Sequence, residues 1–257
     1  MAVQNSLQRS RGNQRLGISA YLTADAVKNQ INQVVGGKDG QRFISAIVSA
    51  VNTNPALQEC TNQSILSGAL LGESLKLSPS PQLGQYYLVP FNDKNKGKVA
   101  QFQLGYKGYI QLAIRSGQYK KLNVLAIKEG ELIRFDPLNE EIEVRLIEDE
   151  EEREQANTIG YYAMFEYTNG FRKAIYWSKR KMEAHALKYS KGYQAKKGYT
   201  FWEKDFDGMA YKTMLRQLIS KWGIMSIDMA SAIDSDMAVI NEDGTKDYVD
   251  NDATVFD

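Results

Sequence analysis

Between Gln103 and Leu122 the chain reads "QLGYKGYIQLAIRSGQYKKL", with Lys107, Arg115, Lys120 and Lys121, two glycine–tyrosine pairs and no acid. Unpaired cations beside flat rings suit a ligand that is itself flat and negative, and nucleic acid meets both requirements. Gly105 and Gly108 would let the backbone approach a phosphate closely, and a helix starting after Gly105 would offer unpaired N–H donors there. A second stretch repeats the pattern. Arg172 and Lys173 lie in a strand-like run, Lys191, Lys196, Lys197 and Lys204 in the segment after it, and Lys212, Arg216 and Lys221 in a helical one. Tyr189, Tyr193, Tyr199, Phe201 and Trp202 are interleaved with these cations and could stack on bases. The chemistry indicated is sequence-tolerant gripping of a single strand.

The formal net charge of +1 over 257 residues hides a strong segregation. Lys94 to Lys128 holds eight Lys/Arg and no acid, and Phe171 to Lys221 holds thirteen basic residues, four acids and ten aromatics. Glu140 to Glu154 has nine acids against two arginines, and Asp228 to Asp257 nine acids against one lysine. Such a distribution describes partners better than the isoelectric point does. Bond-making chemistry has little to work with. His185 is the single histidine and Cys60 the single cysteine, so no zinc constellation or disulfide framework is available, and a Ser-His-Asp or Cys-His nucleophile would have to use His185. There is no nucleophile elbow and no phosphate-binding G-x-x-x-x-G-K-[ST] loop; "GGKDGQ" at Gly36 reads as a helix break. Asp205 and Asp207 keep open a magnesium-dependent nuclease, although acids at a helix start are explained by the helix dipole. No cofactor is expected. The polar N-terminus, the short apolar runs and the lone cysteine point to a soluble cytoplasmic protein without a membrane span.

The elements that must position these residues follow from periodicity. Residues 1–20 lack an apolar pattern and read as flexible. Thr23 is placed to cap a helix through Val35, a second helix covers about Arg42 to Val51, and Thr61 is placed to cap a third that stops before Pro79 and Pro81. "YYLVPF" and "VAQFQL" make a hairpin, with Pro90 marking an edge strand. A helix after Gly105 turns Tyr106, Tyr109, Ile110, Ala113 and Ile114 inward and Lys107, Gln111 and Arg115 outward, and Gly117 ends it. Further strands lead to a long pair around Thr-Asn-Gly, and the acidic "EDEEEREQAN" between them reads as a solvated loop. Ser178 caps a helix to about Lys188. A last helix from about Trp202 to Trp222 buries Met214, Leu215, Leu218, Ile219 and Trp222 and shows Lys212 and Arg216 on an outer face. The class is α+β: antiparallel sheet and hairpins packed with helices, an N-terminal helical segment, one core over 21–233, and an acidic disordered tail over 234–257.

Three blocks, "FQLGYKGYIQLAIRSGQYKKLN", "GFRKAIYWSKRKMEAHALKYSK" and "FWEKDFDGMAYKTMLRQLISKWGIMS", resemble in order and spacing the RecT family of single-strand annealing proteins of phages and prophages. The resemblance implies ATP-independent annealing of complementary DNA strands for homologous recombination, without bond chemistry, by a homo-oligomer, ring or helical filament, that grips DNA in a basic groove. It implies a bacterial host cell, an annealed duplex intermediate, a 5′-to-3′ exonuclease partner and the host single-strand-binding protein. Carried onto matching positions, it assigns DNA contacts to Gln103, Tyr106, Lys107, Arg115, Lys120, Lys121, Arg172, Lys173, Lys191, Trp202, Lys212, Arg216 and Lys221, with Trp222 left to the core. A general single-strand protector is the milder alternative.

Overall fold

The computed structural model describes residues 16–93 and 95–248. Four N-terminal helices, α1 (Ile18–Thr23), α2 (Asp25–Val35), α3 (Gly40–Thr53) and α4 (Asn62–Ser74), enclose the first part of the core. Thr23 does not cap α2. Its hydroxyl turns back to the carbonyls of Ser19 and Ala20 as the end of an additional helix, α1, which begins within the stretch expected to be flexible; the expected helix is α2, set off from it by the extended Ala24. Thr61 does cap α4, accepting from the Ser64 N–H at 3.4 Å. The hairpin of β1 (Tyr86–Asp93) and β2 (Gly97–Leu104) follows, and among the described residues β1 has no other strand partner, in keeping with Pro90. Next comes α5 (Tyr106–Arg115), which buries Tyr109, Leu112 and Ala113, three and four residues apart. Ile114 faces solvent, contrary to expectation. Gly117 adopts φ 67°, the left-handed stop that glycine alone takes without a Cβ penalty.

A three-stranded antiparallel sheet of order β3-β6-β7 forms the second half: β3 (Tyr119–Lys128), β6 (Thr158–Tyr167) and β7 (Arg172–Ser178). The small hairpin β4 (Leu132–Asp136) and β5 (Glu141–Val144) is inserted between β3 and β6, with α6 (Glu150–Gln155) after it. The acidic segment is thus partly a short helix. Its Arg153 reaches the fully buried Glu131 at 2.6 Å, and the same carboxylate accepts from the Lys128 and Ile147 N–H groups. One sheet face, with Tyr161, Ala163 and Phe165, packs on α7 (Lys179–Tyr189) and α10 (Phe206–Trp222); the other, with Tyr162 and Met164, packs on the small hairpin.

The short helices α8 (Lys191–Gln194) and α9 (Phe201–Lys204) precede α10. The last helix expected from Trp202 is broken at Asp205, whose carboxylate accepts from the Gly208 N–H at 2.9 Å. As the N-cap of α10, Asp205 outcompetes helix continuation. Met214, Leu215, Leu218 and Ile219 are buried as expected. Trp202 is 7% exposed, whereas Trp222, expected inside, is 48% exposed.

The chain remains ordered beyond Asp234, where a disordered tail was expected. After α11 (Ile227–Ser235), Asp236, Ala238, Val239 and Ile240 are buried, and β8 (Val239–Ile240) pairs with β9 (Lys246–Asp247). Ala238 bridges Phe102 of β2, which fastens this segment to the first hairpin. Residues 249–257 of the expected tail and 1–15 of the expected flexible N-terminus lie outside the described residues. Among the described residues no helix is long and apolar enough to cross a membrane.

Candidate nucleic-acid interface

The junction of β1, α5 and α9 brings the two basic blocks together. Gly105, extended at the start of α5, donates its N–H to the Gln85 carbonyl at 2.8 Å. A Cβ on Gly105 would collide with the carbonyl of Gly84, and one on Gly108 with that of Gln85. These two glycines therefore serve a close approach of protein backbone, and the expected phosphate seat over them is filled. The close approach aligns the 84–87 segment with the first turn of α5. Lys107 lies exposed against Gly84, and the Tyr87 ring meets Phe201 of α9 at 5.5 Å. Tyr106 is half-buried, its ring edge on Tyr211 of α10 at 5.7 Å.

Beyond Phe201, α8 adds Lys191, the loop from α8 to α9 adds Lys196, Lys197 and Tyr199, and the end of α9 adds Lys204, all exposed. Among the described residues, Lys107, Lys191, Lys196, Lys197 and Lys204 have no carboxylate within ion-pairing distance. Helix α7 presents Arg180, Lys181 and Lys188, also unpaired and not singled out from sequence although they lie in the second basic stretch. Lys181 lies over the Trp177 ring at 4.3 Å. His185 of α7 registers this field: burial, then Lys188, Arg216 and Lys181, push its pKa down to about 4.

Several sequence-assigned contacts are placed elsewhere. Lys212 is buried, its ammonium 2.8 Å from Asp236, and Arg216 holds the other oxygen of the same carboxylate at 2.7 Å. Asp236 also accepts from the Leu104 N–H at 2.9 Å and lies 3.4 Å from the Tyr109 hydroxyl. The expected outer face of α10 is thus an internal ion cluster, and burial lowers the Lys212 pKa against the pull of Asp236. Trp202, expected as a stacking ring, packs on Phe206 at 5.1 Å, Tyr193 and His185. Arg115 is exposed, but its guanidinium bonds the Leu75 carbonyl at 2.7 Å, serving the end of α4. The Gln103 amide donates to Gln101, which donates to the Met237 carbonyl, so Gln103 belongs to the tie between β2 and the C-terminal segment.

Lys120, Lys121 and Arg172 lie on the sheet face turned away from α7 and α10. Lys120 and Lys121 share Glu166, which is cross-strand neighbour to both Lys121 and Arg172. Arg172 lines a shallow cavity of about 420 Å³ with Glu140, Glu141 and Glu143, so that face is mixed in sign. Lys173, on the helix-facing side, pairs with Glu140 and sits 3.4 Å over the Trp222 ring. Lys221 is exposed at the end of α10. The two acids that suggested a nuclease both have structural partners: Asp205 is the cap of α10, and Asp207 accepts from the Tyr161 hydroxyl at 2.5 Å.

An α+β scaffold that clusters unpaired lysines and rings at one junction is that of a nucleic-acid-binding protein. The RecT family model matches residues 41–251, most of the chain, which therefore belongs to the RecT family. It is 40% identical over 254 residues to "Uncharacterized protein YqaK" of Bacillus subtilis (strain 168), covering 97% of this chain and 82% of that one. It is 28% identical over 240 residues to "Protein RecT" of Escherichia coli (strain K12), covering 90% and 86% respectively. Family membership gives the chain a general role in DNA recombination, through binding and annealing of single-stranded DNA.

Proposed function

We propose that this protein anneals complementary single strands without ATP, as a homo-oligomer that grips the phosphate backbone and leaves base edges free to pair. The observation that carries this reading is the junction itself, where Lys107 of one basic block and Tyr87, whose ring meets Phe201 of the other, both lie against Gly84, and where Lys107, Lys191, Lys196, Lys197 and Lys204 form no ion pair among the described residues. Lys107, Lys191, Lys196, Lys197 and Lys204 would hold successive phosphates. Lys221, exposed and without an ion pair among the described residues, would extend the path, and Tyr106 would support it from beneath. A paired product engages more phosphates than either strand and is held longer, while neighbouring subunits multiply weak contacts along one strand. A 5′-to-3′ exonuclease would supply the single strand, and the host single-strand-binding protein would hand it over.

The test is fluorescence transfer between two complementary labelled oligonucleotides, without nucleotide and across a salt series, with Lys107→Ala/Lys204→Ala beside the wild type. The wild type should accelerate pairing and the double variant should lose most of that acceleration. The log–log salt slope for single-strand binding should fall by about 1.4, roughly 0.7 for each lost phosphate contact. Strands bound but never paired would make the protein a protector, and strands shortened in a magnesium-dependent way would make it a nuclease.

A further inference from the structure

The rings interleaved with the second basic block have different surroundings. Trp202 is buried, Tyr193 leans on Trp202 and Phe206, and Tyr189 packs on His185 at 4.5 Å. Phe201 is 36% exposed and rests on Tyr87, whereas Tyr199 is 66% exposed and contacts no other ring among the described residues. A large, solvated, partnerless ring on a surface otherwise built from lysines contributes nothing to the core.

The loop that carries it is nevertheless well determined. The Glu203 carboxylate accepts from the Gly198 N–H at 2.8 Å, the Thr200 N–H at 3.0 Å and the Thr200 hydroxyl at 2.7 Å, closing a collar around Tyr199. These donors, the Thr200 hydroxyl first, hold the Glu203 carboxyl below its ordinary range, so it stays ionised and keeps its grip on the loop. Lys196 at φ 49° and Gly198 at φ 76° turn the chain through left-handed positions, the first costly for a residue with a side chain. The Lys197 N–H returns to the Gly192 carbonyl at 3.1 Å, tying the loop to α8.

We infer that Tyr199 is a base-stacking residue of the single-strand site, held outward between Lys196–Lys197 and Phe201 by the Glu203 collar, with Glu203 as its positioning residue. This rests on the single-strand reading above. The ligand chemistry is a nucleobase of any identity, because every base offers a flat face and the loop places no group to read its edge. The ring would interrupt the stack at one point per subunit, while the adjacent lysines hold the flanking phosphates.

The test separates base from backbone. Binding of a normal oligonucleotide and of an otherwise identical one with abasic sites is measured for wild type, Tyr199→Ala, Tyr199→Phe and Glu203→Gln. Wild type should lose about 5- to 150-fold on the abasic strand, the equivalent of one stacked base. Tyr199→Ala should bind both strands alike with an unchanged salt slope, and Tyr199→Phe should restore the difference. Glu203→Gln should narrow it without altering the slope. If Tyr199→Ala weakens both strands equally, or keeps the full difference, the stacking assignment fails while the lysine path stands. If the wild type binds neither strand, the single-strand reading fails and this one with it.

Discussion

Replacing Asp236 by asparagine tests the ion cluster that removes Lys212 and Arg216 from the surface. The asparagine carbonyl can still accept from the Leu104 N–H, so the backbone bond at 2.9 Å survives and the lost quantity is the charge. Lys212, with 8% of its side chain exposed, loses its carboxylate in a site water does not reach, while Arg216, at 24%, is partly hydrated. Breaking a buried pair by removing one partner costs about 3–5 kcal/mol, a large part of the roughly 5–15 kcal/mol that holds a domain folded. In urea, with an m-value of about 3 kcal/mol/M, the midpoint should fall by about 1–1.7 M. Lys212→Met should be milder, under about 1.5 kcal/mol, because Asp236 keeps Arg216 and Leu104 and an apolar chain of similar length fills the space. Lys212→Met should also leave the salt slope of single-strand binding unchanged. The reasoning fails if Lys212→Met costs more stability than Asp236→Asn. It fails equally if Lys212→Met lowers the slope by about 0.7 while stability is untouched, since that would put the lysine on a phosphate.

Gly108→Ala should destabilise the fold by about 1–3 kcal/mol, because its Cβ would meet the Gln85 carbonyl and push the 84–87 segment off α5; an unchanged melting temperature would contradict that packing. His185 titrates near 6.5 unfolded and at about 4 folded, so the unfolded state takes up the proton first as pH falls. Stability should be at full value above about pH 6.5 and decline toward pH 4, by at most about 3 kcal/mol before solvent screening reduces it. His185→Gln should flatten this part of the profile of unfolding midpoint against pH.

Sequence periodicity locates elements whose signals are local. Thr61 and Ser178 cap the helices they precede, Gly117 stops α5, and the Thr-Asn-Gly turn places Gly170 at φ 87° between β6 and β7. The candidate site is legible as composition: two basic blocks, the first without an acid, approach one another through Lys107, Tyr87 and Phe201. What sequence does not distinguish is a solvated cation from a buried one. Lys212 and Arg216, four apart on a helix, look like an outer face until an acid 24 and 20 residues later is found between them. The acids from Asp234 onward and the scarcity of large apolar groups make the segment look like a solvated tail, when burial of Ala238, Val239 and Ile240 carries its first part into the core. Glycines in "LGYKGY" read equally as phosphate seats or as close backbone approaches, and only the position of the Gly84 and Gln85 carbonyls decides between them.

The tie between Asp236 and Leu104 joins residues 132 apart in sequence, and its consequence falls on synthesis. At about 5–20 residues per second, roughly 1–5 s separate the addition of Lys212 from that of Asp236. Through that interval the nascent α10 carries two cations whose buried counter-charge does not yet exist, and the hairpin β1–β2 lacks the strand segment that fastens it. Local helices can form early, but the contacts that close the core are of long range and must come last. It is the completion of the fold that withdraws Lys212 and Arg216 from the polyanions around a ribosome.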